Sequence, residues 1–243
     1  MVRKVLFATV LLAMMVAIAT PVRSTVGARN GFYMENESGP IPKGYTERSV
    51  LVVTNYQRGL IGIDSGIYCP QEGDVWIECD YVQKYSLYAP ISGLFPILGN
   101  SMGLRAYGYR RMIFNLGQYG SGIFYFENAD WDFYSSPIRC GYGIIGENDV
   151  IMVNGEIATH TLVGGERGNG NQTIWFGKCA STWDDGRNTK LGVMRIYLSG
   201  VCVFEGIPCS RDSDGKAGYY DTVGVRFCPD QGGIGWMDLE EGE

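Results

Sequence analysis

Two short carboxylate runs are the first places where this sequence could do chemistry. Glu78-Cys79-Asp80-Tyr81-Val82-Gln83 sets two acids two residues apart, and alternation along a strand puts such a pair on one face. Carboxyls about 5 Å apart are what a double displacement at a glycosidic carbon requires. The third polar place of the run is the amide of Gln83 rather than an acid. Glu127-Asn128-Ala129-Asp130-Trp131-Asp132 has enough acids, but its odd separations turn Glu127 away from Asp130 and Asp132. Neither run makes a working pair, and catalysis is not the reading they favour.

A third acidic stretch, Ser210 to Asp221 (SRDSDGKAGYYD), invites a calcium loop. Set against the twelve-residue EF loop, Ser210 stands first, Asp212 third, Asp214 fifth and Asp221 twelfth. The acid at the first place and the bidentate Glu at the twelfth are missing. Asp-Gly is also what a tight turn wants, since Gly takes positive φ cheaply and Asp hydrogen-bonds its own backbone. The turn is the preferred reading. A structural calcium on Asp212, Asp214 and Asp221 is the alternative, and no other metal or cofactor is expected. The chain has one histidine, His160, no GxSxG and no CxxC, which leaves neither a Ser-His-Asp set, a Cys–His nucleophile nor a zinc site.

Sugar binding asks for exposed aromatic faces rimmed by amides and carboxylates. The candidates are Trp183 with Asp184 and Asp185 in STWDDGRN, and Trp131 with Tyr134 in ADWDFY. Each Trp could equally be core; Trp183 is the stronger candidate because polar residues surround it. Trp76 and Trp175, inside apolar runs, are expected in the core. Trp236 falls beyond the last expected strand.

The elements that must carry these residues are strands. Residues 1–24 pair Arg3 and Lys4 with the apolar run Val5 to Ala19, which is short for a bilayer span, and small residues follow. They read as a removed secretory signal, with a signal-anchor as the alternative. Removing them takes out three cations and no acid, so the formal charge goes from −6 to −9. Such a chain offers no electrostatic footprint to nucleic acid or an anionic membrane. Export also places the seven cysteines where up to three disulfides can form. Residues 25–44 read as a flexible leader.

From Tyr45 on, short runs rich in Val, Ile, Tyr, Phe, Trp and Thr alternate with turn residues, as in DVWIECDYV, NQTIWFGKC and LGVMRIYLSG. Asn154-Gly155 is the strongest hairpin signal. No amphipathic helical stretch appears. Such a pattern predicts an all-β sandwich or barrel.

GVMRIYLSGVCVFEGIPCSRDSDGKAGYYDTVGVRFC resembles the closing hairpin of bacterial concanavalin A-like, laminin-G-like domains. The matching residues are Arg195-Ile196-Tyr197, Gly200, Pro208, Ser213-Asp214-Gly215, Gly218, Tyr220-Asp221 and Phe227. Upstream, Tyr45, Glu47, Ile63-Asp64, Gly66-Ile67 and Asp80 are similar to the opening segment, and IMVNGEIATHTL to the middle hairpin. The resemblance implies a two-sheet antiparallel jelly-roll sandwich over 45–236, with 237–243 as an acidic tail. In laminarinase-type sandwich glycosidases the carboxylates follow E-x-D-x-(x)-E, the pattern that Glu78 to Gln83 approaches. In a bacterial chain the acceptor patterns at Asn36 and Asn171 are chance.

Cys202 and Cys209, seven apart, are expected on opposite faces of a straight strand and too distant to pair. A bridge from that segment would reach Cys228 or Cys69. The function expected is a secreted, extracellular, cell-surface or periplasmic module that binds a glycan or another extracellular polymer without catalysis. The alternatives are an adhesive surface protein with a protein partner and a glycoside hydrolase with an atypical site.

Overall fold

Period-two alternation is realised as strands throughout the computed structural model, which describes residues 41–53, 62–70, 72–83, 88–94, 102–107, 111–116, 123–127, 137–146, 148–161, 173–177 and 188–240. All of these belong to one unit, Asn36–Glu241. In chain order the strands are β1 (Tyr45–Glu47), β2 (Val50–Val53), β3 (Ile63–Tyr68), β4 (Val75–Gln83), β5 (Tyr88–Leu94), β6 (Met102–Tyr107), β7 (Arg111–Leu116), β8 (Ile123–Glu127) and β9 (Ile138–Ile145). They continue as β10 (Asn148–Val153), β11 (Glu156–Thr161), β12 (Thr173–Phe176), β13 (Lys190–Leu191), β14 (Met194–Leu198), β15 (Val201–Arg211), β16 (Ala217–Asp221), β17 (Arg226–Pro229) and β18 (Ile234–Met237). Among the described residues no helix is long and apolar enough to cross a membrane.

The strands form two antiparallel sheets. The larger has twelve strands, with the path β11-β10-β9-β4-β14-β15-β16-β17 and with β1, β2, β13 and β18 attached. The smaller has six, in the order β3-β12-β5-β6-β7-β8. One apolar core joins them: Ile63, Ile174 and Phe176 of the smaller sheet pack with Ile77, Met194, Ile196 and Phe204 of the larger. Phe176 stacks obliquely on Phe204 at 5.3 Å and edge-on to Tyr219 at 5.5 Å. The fold class is therefore the expected all-β, two-sheet antiparallel sandwich.

The Asn154-Gly155 hairpin forms as expected, with φ of 50° and 90° at its two central residues and β10 and β11 in register on either side. His160 sits in β11 opposite Asp149. Other expectations are corrected. Trp236 does not lie beyond the last strand; it is in β18, opposite Leu51 of β2. The Arg48 guanidinium lies over its ring at 3.3 Å and reaches Asp238 at 2.7 Å. Trp175 is not core, because alternation in β12 turns Ile174 and Phe176 inward and leaves Trp175 half-buried. Its indole N–H donates to Thr173 Oγ1 at 3.0 Å. Trp76 is buried as expected, but in a separate cluster with Val150 and Met152 on the other face of the large sheet.

One cysteine expectation changes too. In this structure no disulfide joins any two of the six described cysteines (Cys69, Cys79, Cys140, Cys202, Cys209, Cys228). Cys202 and Cys209 do not sit on opposite faces. The ladder between β14 and β15 shifts between Ile196 and Tyr197, pairing Ile196 with Phe204 but Tyr197 with Cys202. That bulge reverses the parity, and both thiols face away from the core. The strand length between them still keeps them apart. Cys209 lies opposite Gly218 and Cys228 opposite Tyr219, so alternation puts those two on opposite faces of the sheet.

Candidate functional site

The face of the large sheet that points away from the core carries a buried ionic network. On β4, Val75, Ile77 and Cys79 enter the core, and alternation turns Trp76, Glu78 and Asp80 outward. Register then supplies partners: Arg195 of β14 lies opposite Glu78, Tyr197 opposite Trp76, and Glu205 of β15 opposite Arg195. On the other flank, Gly141 and Gly143 of β9 lie opposite Glu78 and Trp76. Trp76 covers Gly141 so closely that a Cβ there would stand 2.4 Å from its Cζ2. A glycine is what lets the indole lie flat beside the carboxylate.

Glu78 is 3% exposed and collects four neighbours. Trp76 Nε1 and Arg139 Nη2 each donate to Oε2 at 3.4 Å, and Tyr197 OH donates to Oε1 at 3.3 Å. Arg195 Nη1 stands 3.7 Å from Oε1. The Arg195 side chain is 4% exposed, and its Nε donates to Glu205 Oε1 at 2.9 Å. Glu205 Oε2 in turn accepts from Thr222 Oγ1 at 2.9 Å. Burial alone would lower the Arg195 pKa; the bond to Glu205 and the charges of Asp80 and Glu78 more than offset it and hold the guanidinium charged. Tyr197 is pushed up by burial and by the Glu78 charge, which keeps its hydroxyl a donor.

Asp80 is the incompletely satisfied member. Its Oδ1 accepts the Val193 N–H at 2.8 Å. Its Oδ2 stands 4.0 Å from Arg195 Nη1, and among the described residues neither atom has a hydrogen-bond partner. Burial raises the Asp80 pKa to about 6 against the pull of Arg195 and the Val193 N–H. In a low-dielectric site an open donor and an open acceptor are costly until something bridges them.

Gln83 joins this face through an irregularity. The ladder between β4 and β9 shifts between Cys79 and Val82, returning Val82 to the core and leaving Tyr81 and Gln83 on the outer side. Tyr81 OH lies 3.0 Å from Gln83 Oε1. The run Glu78-Asp80-Gln83 therefore shares one face, and its third place is an amide.

The weak metal candidates are not brought together. Asp214 accepts both from Arg211 Nε at 3.0 Å and from Nη2, and from the Lys216 N–H at 3.1 Å. The Arg211 hydrogen bond and that N–H hold its pKa down to about 2. Asp212 accepts from Thr46 Oγ1 at 2.7 Å. Asp221 lies at the far end of β16, fully buried, and takes the N–H groups of Glu205 and Val223 and Arg226 Nε. The loop is a hairpin turn, with Gly215 N–H donating to the Arg211 carbonyl at 2.7 Å. Among the described residues no three His, Cys, Asp or Glu cluster as a metal site. Trp131, Tyr134, Trp183, Asp184 and Asp185 lie outside the described residues.

Sequence reasoning stopped at Glu78 and Asp80 and missed Arg139, Arg195, Tyr197 and Glu205. The signal was available in MRIYL and VWIECD: apolar residues hold every second place, while the places between hold Arg and Tyr on one strand and Trp, Glu and Asp on the other. A charge flanked by core positions on both sides asks for a partner on the neighbouring strand.

No family model matches the sequence, and no curated protein does. Among solved structures the chain is similar to domains LG4-5 of the mouse laminin alpha1 chain, at 11% identity and a TM-score of 0.48 over 76% of this chain and 49% of that one. It thus spans about half of that laminin chain. It is similar to alginate lyase A1-II′ of polysaccharide lyase family-7, at 14% identity and a TM-score of 0.38 over 57% of this chain and 67% of that one. It is also similar to beta-agarase A solved with oligoagarose, at 14% identity and a TM-score of 0.39 over 57% of this chain and 72% of that one. The laminin-G-like fold expected from the sequence is among those it is similar to. The strand pairings themselves, not these likenesses, establish the sandwich.

Proposed function

We propose that the chain is an exported, non-catalytic sandwich module that binds a carbohydrate or another hydroxyl-rich extracellular polymer through the outer face of its large sheet. The observation that carries this reading is the state of the Glu78 and Asp80 carboxylates. A glycosidic acid–nucleophile pair must be free to give up and take protons at the substrate. Glu78 is buried among a hydrogen-bonding guanidinium (Arg139), a second cation at 3.7 Å (Arg195), a phenol and an indole, and the third place of the run is Gln83. Such a carboxylate positions its neighbours rather than reacting.

The same arrangement suits a hydroxyl. Asp80 Oδ2 accepts and Arg195 Nη1 donates, 4.0 Å apart. Both atoms are shut off from solvent in this structure, so one hydroxyl oxygen about 2.8 Å from each completes both bonds only where the face opens to admit it. Half-buried Tyr197 supplies aromatic surface beside them, packed on the buried Trp76.

Affinity gels cast with neutral, uronate and sulfated polysaccharides test the proposal. The expected result is retardation in at least one gel, relieved by Asp80→Asn. A panel that leaves the wild-type chain unretarded overturns the binding reading. Reducing-sugar release that disappears in Glu78→Gln would overturn the non-catalytic part.

A further inference from the structure

We propose that Cys79 and Cys140 close into a disulfide between β4 and β9 when the chain folds in an oxidising compartment. The proposal rests on the export half of the reading above and not on the ligand. The two residues are direct register partners in an antiparallel pair. No other two of the described cysteines are. Directly opposed residues hold their Cβ atoms about 4.5–5.5 Å apart, and a disulfide takes Cα atoms about 4.4–6.8 Å and Cβ atoms about 3.5–4.5 Å apart. Closing the bridge needs a slight approach of two strands that are already paired.

Both side chains lie in the main core, at 1% and 0% exposure. Their flanks are fixed as well: Cys79 is opposite Met194 on its other side, and Cys140 opposite Val153. Neither can swing to a different strand without breaking the sheet. In the free form the Cys79 thiol donates to the Tyr81 carbonyl at 3.1 Å, a bond that a side-chain rotation gives up. Burial pushes both thiols well above their usual range, with nearby anionic groups adding to it.

That burial sets the order of events. The thiolate is the nucleophile in disulfide exchange, and the folded core suppresses it. The bridge must form while β4 and β9 are pairing but still open to solvent. One cysteine, as thiolate, attacks a sulfur of a donor disulfide, either an oxidoreductase or a small disulfide such as oxidised glutathione. A mixed disulfide forms and the donor's first thiol leaves. The second cysteine then attacks the mixed disulfide, and the donor leaves as its second thiol. The protein loses two protons and two electrons, and the donor gains the two electrons. Once folded, the bridge is out of reach of reductant.

The test uses the full chain, reduced, unfolded and refolded in a mixture of oxidised and reduced glutathione. Remaining thiols are alkylated after unfolding, and the digest is mapped without reduction. The expected result is a Cys79–Cys140 peptide pair two hydrogens lighter than the free peptides, intact after mild reductant on the folded protein. The urea midpoint should rise on oxidation in the wild type and stay unchanged in Cys140→Ala. Because Cys140→Ala opens a small cavity, Cys140→Ser is a second control for the same midpoint comparison. Recovery of alkylated Cys79 and Cys140 from folded, oxidatively refolded protein overturns the proposal, and so does either one in a different bridge. The readout is independent of any glycan, so its failure is distinct from failure of the binding gels.

Discussion

The two faces of the large sheet are buried to a similar depth by different physics. On β4, Val75 and Ile77 are 1% exposed toward the core, while Trp76 is 5% and Glu78 3% exposed on the other side. The core face is held by transfer of apolar surface and by ring packing, neither of which responds to pH. The outer face combines the small apolar cluster around Trp76 with charges that are stable only as a set, since each one buried alone would be costly. A sandwich sheet needs one apolar face; its other face can simply be solvated. The difference between the faces therefore points to the outer one as the part of the molecule shaped for something besides folding.

Neighbouring residues of β14 test this most severely, because Arg195 and Ile196 point to opposite faces. Arg195→Met should cost about 3–5 kcal/mol at pH 7 by leaving Asp80 without its nearest cation and Glu78 with Arg139 alone. Ile196→Ala should cost about 2–5 kcal/mol through a core cavity. Urea unfolding at pH 7 and at pH 4.5 separates them. The Arg195 penalty should shrink at the lower pH as Asp80 takes a proton, and the Ile196 penalty should not move. Equal penalties at both pH values would mean that the faces do not differ as described.

The next effect belongs to Asp80. Its folded pKa of about 6 stands above the ordinary 3.8, through burial first. Between those values the folded state binds more proton than the unfolded state, so stability falls as pH rises through the window and levels off above it. The size of that fall is about 3 kcal/mol, from a shift of roughly two pKa units. Asp80→Asn keeps an acceptor for the Val193 N–H and should remove this contribution to the slope of stability between about pH 4 and pH 6. A slope unchanged in the variant would place the titration elsewhere.

Much of the fold was legible in the sequence because local rules and global pairing agreed. VWIECDY, TIWF and MRIYL alternate and become strands, and Asn154-Gly155 forms the turn its residue types favour. Part of what was not legible has one cause, which is that parity along a strand holds only while the ladder is regular. One irregularity near residue 80 brought Gln83 onto the face of Glu78, and another near Val203 put Cys202 on the face of Cys209. Neither shows in residue types. The site was half legible: Glu78 and Asp80 carried a recognisable spacing, but Arg139, Arg195 and Glu205 reach them through pairings between distant segments. Trp236 escaped because IGWM is short and its partner, VLVV, lies near the other end of the domain.

A smaller effect contrasts two glycines. Gly141→Ala puts a methyl 2.4 Å from Trp76 Cζ2. The indole must move off the outer face and lose its bond to Glu78, at about 1–3 kcal/mol for overpacking. Gly155→Ala meets nothing within 4 Å but sits at φ +90°, so its cost is backbone strain of about 1 kcal/mol. Near-ultraviolet circular dichroism should change in the first variant and not in the second, even where the urea midpoints shift by similar amounts. An unchanged aromatic signal in Gly141→Ala would mean that the indole is not held by that contact.

The least effect is expected where the sequence most invited chemistry, at the SRDSDG turn. Asp214 is held to Arg211 by two hydrogen bonds and takes the Lys216 N–H, and these keep its pKa at about 2. A depressed acid contributes stability above its unfolded pKa, and that contribution fades as pH falls from about 4 toward about 2. The pair is exposed, so water and salt screen it, and the backbone turn at Gly215 persists without it. Asp214→Asn should leave the thermal midpoint at pH 7 close to that of the wild type. Calcium and chelator should each leave both proteins unchanged, because the Asp214 oxygens are engaged by Arg211 and Asp221 sits at the other end of β16. A midpoint that rises with calcium in the wild type and not in Asp214→Asn would make this turn a cation site and move the chemistry of the molecule from the sheet to its edge.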